Sequence, residues 1–114
     1  MKKRFIKIKS SPDYQTLLAS YDGKIVGMIG MVKGYYYEFD GFYVRILALV
    51  VDSNYRNKGI GKKILEEAEY WARTIGAIGI GLNSGNRTER MKAHKFYKNM
   101  GYVEKSIGFA KSLI

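Results

Sequence analysis

Nine residues from Tyr43 to Val51 form an almost continuous apolar run, which predicts a central strand buried on both faces. The polar, turn-rich segment Asp52 to Lys58 follows it. Ile60, Ile64, Leu65, Ala68, Trp71, Ala72 and Ile75 then recur at three- and four-residue spacing, the signature of one apolar helix face. A buried strand that turns at once into an amphipathic helix restricts the chain to architectures in which helices pack against a sheet.

The remaining elements agree with that restriction. Phe5, Ile6 and Ile8 alternate imperfectly with lysines, a short basic strand or arm within residues 1–13, and Ser10, Ser11, Pro12 and Asp13 make a turn cluster. Gln15 to Tyr21 and Ile25 to Val32 flank Asp22, Gly23 and Lys24, which predicts an antiparallel hairpin. Tyr35 to Phe39 continue as an aromatic strand or loop between Gly34 and Gly41. After the helix, Gly76 is placed as a stop, Ala77 to Leu82 reads as a short buried strand, and Asn83 to Asn86 as a loop. A second helix fits Thr88 to Met100 and ends at Gly101, with strands expected over Tyr102 to Lys105 and Phe109 to Ile114. The order predicts a single α/β or α+β domain over residues 1–114 with two packed helices.

Charge and cysteine content narrow the function. Twenty Lys and Arg against ten Asp and Glu give a formal charge of +10, which attracts polyanions: nucleic acid, anionic lipid or a phosphorylated cofactor. The absence of cysteine excludes a disulfide framework, a thiolate metal site and a cysteine nucleophile. With one histidine and scattered carboxylates, no metal site is expected. The longest unbroken apolar stretch, Ile46 to Val51, is far short of the roughly 20 residues that span a bilayer. Lys7 and Lys9 interrupt any signal-peptide core, so the expected location is cytoplasmic.

The sharpest motif is Arg56-Asn57-Lys58-Gly59-Ile60-Gly61, between the apolar strand and the first helix. Amides at a helix start are unpaired, the helix dipole is positive there, and glycines let an anion approach, so a phosphate site is physically natural. It is neither of two common phosphate motifs. A dinucleotide fingerprint needs glycine where Ile64 stands, and a P-loop needs Gly-Lys-Ser or Gly-Lys-Thr where Gly61-Lys62-Lys63 stands.

Arg56, Gly59 and Gly61 match the signature of the GNAT superfamily, the Gcn5-related N-acetyltransferases: Arg or Gln, two residues, Gly, one residue, Gly or Ala. Leu49-Val50-Val51-Asp52 with Tyr55-Arg56 resembles the family's central strand and its approach to the loop. Ala93-His94-Lys95-Phe96-Tyr97 and Gly101-Tyr102 resemble its second block, and Phe109, Lys111 and Leu113 its closing strand. The resemblance covers roughly residues 22 to 113 and implies a mixed, largely antiparallel sheet with a central split.

The resemblance also implies acetyl-CoA as cosubstrate and a primary amine as acceptor, joined by direct attack without a covalent enzyme intermediate. Amides from Asn57 to Gly61, including Lys58, Gly59 and Ile60, would hold the pyrophosphate, with Arg56, Lys58, Lys62 and Lys63 as countercharge. Backbone groups of Leu49 and Val51 would hold the pantetheine arm and the thioester carbonyl, and Tyr97 would protonate the departing thiolate. Without the resemblance, Tyr97 reads more readily as a core aromatic on a helix face than as an acid.

Two departures from the family pattern shape the expectation. Only about 20 residues precede the first hairpin turn, where the family has a strand and two helices that wall the acceptor pocket, so a second subunit is expected to complete that wall. The family's glutamate near Leu47 is also absent; Arg45, Ile46 and Leu47 stand there. A lysine-like amine of pKa about 10.4 is neutral only about four times in ten thousand at pH 7, a deficit of roughly 4.6 kcal/mol. Glu38 and Asp40 through water, the positive field, or a weaker amine base each offer a way around it, and His94 reads as a helix residue outside catalysis.

A truncated, weakly active CoA binder is one alternative, and a basic domain that stacks single-stranded nucleic acid on its tyrosines is another. Lys33 to Asp40 starts like an RNP1 motif, but Tyr36, Glu38 and Asp40 break it. Bulk charge leaves only non-specific binding.

Overall fold

A computed structural model describes residues 3–11, 13–36, 40–56, 58–82, 91–104 and 111–114. Two compact units are distinguished, Met1–Leu82 and Asn83–Ile114.

The first unit is a five-stranded sheet in the order β1-β2-β3-β4-β5: β1 Lys3–Ser11, β2 Tyr14–Tyr21, β3 Lys24–Tyr35, β4 Phe42–Val51 and β5 Ile80–Leu82. Neighbours are antiparallel except β4 and β5, which are parallel. The basic amino-terminal segment is therefore a paired strand. The expected hairpin forms, with Asp22 and Gly23 both at positive φ, 53° and 81°, as a two-residue turn that matches strand twist requires. Lys24, read as part of the turn, instead opens β3 opposite Tyr21.

Helix α1, Ile60–Thr74, buries Ile60, Ile64, Leu65, Ala68 and Ala72 against β2, β3 and β4. Opposite them lie Leu17, Ala19, Val26, Ile29, Met31, Val44 and Ile46, all buried. Each large side chain among these contributes about 1.5–3 kcal/mol by leaving water. Gly76 stops the helix as expected. Its φ is 92°, its N–H donates to the Arg73 carbonyl at 3.1 Å, and the Ala77 N–H donates to the Ala72 carbonyl at 2.9 Å, the paired bonds of a Schellman end.

The central strand is not buried on both faces. Val44 and Ile46 are buried, Leu49 and Val51 half-buried, and Arg45, Leu47, Ala48 and Val50 exposed. Helix α1 packs on one face only, and a bulge shifts the alternation along the strand. Gly30 faces Ala48 and Met31 faces Ile46, so Leu47 is an extra residue on β4, and inward positions switch from even to odd numbers across it. β5 is shorter than expected and half-buried, starting at Ile80.

Near the far end of β4, Tyr43 lies over Gly34 where a side chain would otherwise sit, and its ring is 5.1 Å from that of Tyr36. Sheet packing thus accounts for these two tyrosines.

The second unit holds helix α2, Met91–Asn99. Thr88 to Arg90 and the loop Asn83 to Asn86 lie outside the described residues. Gly101, at φ 93°, follows the helix, and its N–H donates to the Lys98 carbonyl at 3.1 Å. The strand expected from Tyr102 is not formed over Tyr102 to Glu104, where Val103 is exposed; Lys105 lies outside the described residues. The expected last strand is likewise absent over Lys111 to Ile114, with Leu113 90% exposed, while Phe109 lies outside the described residues. Apolar alternation favours a strand only where a neighbour accepts its ladder bonds, and no described strand does so for either segment.

Candidate active site

The site is built where β4 ends and α1 begins. Asp52 leaves the strand, and its carboxylate accepts the Asn54 N–H at 2.9 Å, capping a short 3-10 turn over Ser53–Tyr55. The turn delivers the chain to Gly59 at φ 75° and ψ 9°, the left-handed region. A Cβ there would meet nothing within 4 Å, so backbone conformation rather than crowding is what asks for glycine. Asn57 lies outside the described residues.

Helix α1 starts without a side-chain cap and without an acidic residue in its first turn. Its first internal bond is from the Lys63 N–H to the Gly59 carbonyl, at 3.1 Å. The N–H groups of Ile60, Gly61 and Lys62 thus have no intrahelical acceptor, and the dipole adds partial positive charge at the same point.

The cations around this start are unevenly engaged. Lys58 places its Nζ 5.6 Å from the centre of the Tyr55 ring, and Lys24 does so at 5.5 Å while standing 3.9 Å from Asp52. Tyr21 packs on the same ring at 5.8 Å. Lys63 pairs with Glu66 at 3.8 Å, whereas Lys62 is exposed. Arg56 donates from Nε to the Val51 carbonyl at 3.4 Å, so it ties the turn back to the strand, a role that sequence reasoning missed. The Tyr21, Lys24 and Tyr55 cluster was also missed, since no spacing rule links a hairpin turn to a residue thirty positions later.

The expected split is visible in the backbone. β5 pairs with β4 only from Val44 to Ile46, while β3 follows β4 to Val51. The Asp52 N–H donates to the Val26 carbonyl at 2.8 Å, on the β3 side. Successive strand residues alternate, so Val50 and Ala48 also address β3, and Val51 and Leu49 address the opposite side. The Arg56 bond to the Val51 carbonyl is consistent with this. Among the described residues no strand pairs with Leu49 or Val51 on that side, so the Leu49 N–H and C=O and the Val51 N–H have no ladder partner among them beyond the last pair of β5.

The sequence-predicted residues Leu49, Val51, Arg56, Lys58, Gly59, Ile60, Gly61 and Lys62 are thus brought together on one strand-turn-helix. Tyr97 belongs to the second unit. It is half-buried on α2, with its ring 5.2 Å from Phe96 and 5.8 Å from Tyr102, and its carbonyl accepts the Tyr102 N–H at 3.0 Å. His94 in the same helix has a buried Nε2 with no hydrogen-bond partner among the described residues. Asp40 is exposed, and Glu38 lies outside the described residues.

Comparison with known proteins follows the same lines. Residues 1–102 match the acetyltransferase (GNAT) family. An aminoalkylphosphonate N-acetyltransferase of Salmonella typhimurium is 32% identical over 102 residues, covering 90% of this chain and 65% of the enzyme's own length. A GNAT family acetyltransferase of Staphylococcus aureus has a crystal structure that superposes with a TM-score of 0.77 at 39% identity, over 90% of this chain and 67% of that one. The aminoglycoside N-acetyltransferase AAC(6')-Iy, solved in complex with CoA, shares the fold at a TM-score of 0.77 and 16% identity, over 92% of this chain and 70% of that one. The chain therefore spans just under two thirds of the Salmonella relative.

Proposed function

Because this chain belongs to the GNAT acetyltransferase family, we propose that it transfers an acetyl group from acetyl-CoA to a primary amine, by direct attack of the amine on the thioester. The observation that carries this reading is the pairing of an uncapped, glycine-opened helix start with an open backbone edge on the preceding strand. The residues fit a diphosphate-bearing thioester: the Ile60, Gly61 and Lys62 amides, free of intrahelical acceptors, would receive the diphosphate with Arg56, Lys58 and Lys62 as countercharge, and Asn57 and Gly59 complete the loop in sequence. Acetyl-CoA supplies the activated acyl group. The Leu49 N–H then donates to the thioester oxygen as negative charge develops on it, and Val51 orients the amide-bearing arm beside it. As the C–N bond forms and the C–S bond breaks, Tyr97 delivers a proton to the departing sulfur, as a phenol of pKa about 10 can do for a thiolate whose acid has a pKa of about 8.5. The proton shed by the attacking nitrogen passes to solvent, from which the phenolate is reprotonated. No metal enters this scheme.

A second copy of the chain is proposed to complete the acceptor wall. The sheet face turned away from α1 supports this, since Ile25, Leu47 and Val50 are exposed there. Among the acceptors in the relatives' names, an amine with an anionic tail suits a chain of net charge +10 better than a polycationic aminoglycoside does. No helix among the described residues is long and apolar enough to cross a membrane, and a cytoplasmic location is part of the proposal.

Titration calorimetry with acetyl-CoA at two salt concentrations tests the cosubstrate. One-to-one binding that a Gly61→Trp variant loses is expected, weakening with salt as a charge-assisted diphosphate site must. Absence of binding to the unaltered protein would refute the reading and leave the glycine turn as architecture.

A further inference from the structure

We infer that Arg45 is the specificity-determining residue for the acceptor, pairing with an anionic group, such as a phosphonate, carried by the amine. The inference rests on the acetyl-transfer reading above. Within the first unit helix α1 covers one face of β2, β3 and β4 and no other described element of that unit covers the second, so an amine reaching the edge at Leu49 has that second face to lie on. The bulge at Leu47 gathers Arg45, Leu47, Ala48 and Val50 on that face as one exposed shelf. The register places Thr16, Leu18, Met28, Val32 and Tyr43 beside them. Among the described residues of these three strands on that face, Arg45 is the one charged side chain, in a shelf otherwise apolar or hydroxylic.

Its guanidinium is exposed and has no ion pair or hydrogen bond among the described residues. An arginine without a partner among the described residues is available to a ligand as a planar fork of donors. Four strand positions separate Arg45 from Leu49, about 13 Å at most at 3.3 Å per residue. The arginine side chain and an acceptor of two or three carbons share that distance. Pairing also serves the chemistry. An acceptor's own anion holds its ammonium form, and neutralising that anion with a guanidinium favours the free amine that must attack.

The test compares 2-aminoethylphosphonate with propylamine as acceptors, at concentrations giving the same amount of neutral amine, in the unaltered protein, Arg45→Gln and Arg45→Lys. A kcat/KM ratio favouring the phosphonate by about 10- to 100-fold is expected, the range for a charge-assisted pair. It should fall to about one in Arg45→Gln and be partly kept in Arg45→Lys, which retains the charge without the fork. A ratio near one in the unaltered protein, or one that survives Arg45→Gln, overturns the inference. Calorimetric titration of 2-aminoethylphosphonate into CoA-saturated protein separates this from the parent reading. Binding lost in Arg45→Gln upholds the anion site even if no amine is acetylated, an outcome that would instead refute acetyl transfer; no phosphonate binding to the unaltered protein refutes the anion site.

Discussion

Gly27→Ala tests how α1 is seated on the sheet, and with it how the anion-binding turn is held. A Cβ at position 27 would lie 2.7 Å from Cδ1 of Ile64, 3.1 Å from the Val50 carbonyl oxygen and 3.6 Å from Cγ2 of Ile60. Ile64 is fully buried, so its Cδ1 has no free volume to enter. Overpacking of this kind costs about 1–3 kcal/mol, while the stiffer unfolded chain of an alanine returns about 0.4–1. The net expectation is a loss of about 1–2 kcal/mol. Ile64→Val removes the atom in the way and on its own costs about 1 kcal/mol. In the double variant the new methyl occupies the space that Cδ1 leaves, so the total should stay near about 1 kcal/mol instead of the additive 2–3. Urea unfolding with a constant m-value measures all four corners of the cycle. Ile60 and Ile64 belong to the first turns of α1, so acetyl-CoA affinity should weaken in Gly27→Ala and recover in the double variant. Strict additivity, or a neutral Gly27→Ala, would refute the claim that α1 sits at contact distance on Gly27.

Other expectations follow from single residues. Gly59→Ala meets no steric obstacle, so its cost should be the left-handed backbone penalty alone, about 1–2 kcal/mol by urea unfolding, with weaker acetyl-CoA binding by calorimetry. Tyr97→Phe should lower kcat by about tenfold or more with acetyl-CoA affinity held, and unchanged turnover would leave Tyr97 as a packing residue. Light scattering at micromolar concentration should give the mass of a dimer, and a monomeric mass would remove the shared acceptor wall.

The antiparallel hairpin, the apolar strand, the amphipathic helix and the glycine turn were legible because each is a local pattern with a local cause. Asp22-Gly23 accepts two positive φ values, helical spacing places Ile60, Ile64, Leu65, Ala68 and Ala72 on one face, and Gly59 and Gly76 stand where the backbone turns left-handed. Over Tyr102 to Glu104 and Lys111 to Ile114 the expected strands do not form, since alternation says nothing about whether a partner strand exists. The candidate site divides the same way. Its anion-binding turn was written in consecutive residues, while the roles of Arg56 and of the Tyr21, Lys24 and Tyr55 cluster depend on contacts between separate elements.

By itself the amino-acid order determined where the hairpin, the apolar strand and the first helix lie, and where an anion would find unpaired amides. Only the tertiary structure decided which way the central strand faces. Ile46 to Val51 is uniformly apolar, and nothing in it marks Leu47 as the extra residue. Pairing of Met31 with Ile46 and of Gly30 with Ala48 sets the bulge, and a one-residue slip exchanges the two faces of everything beyond it. That slip turns the Leu49 and Val51 backbone to the edge beyond β5 and brings Ala48 and Val50 onto the face that Arg45 already occupies, the one that α1 does not cover.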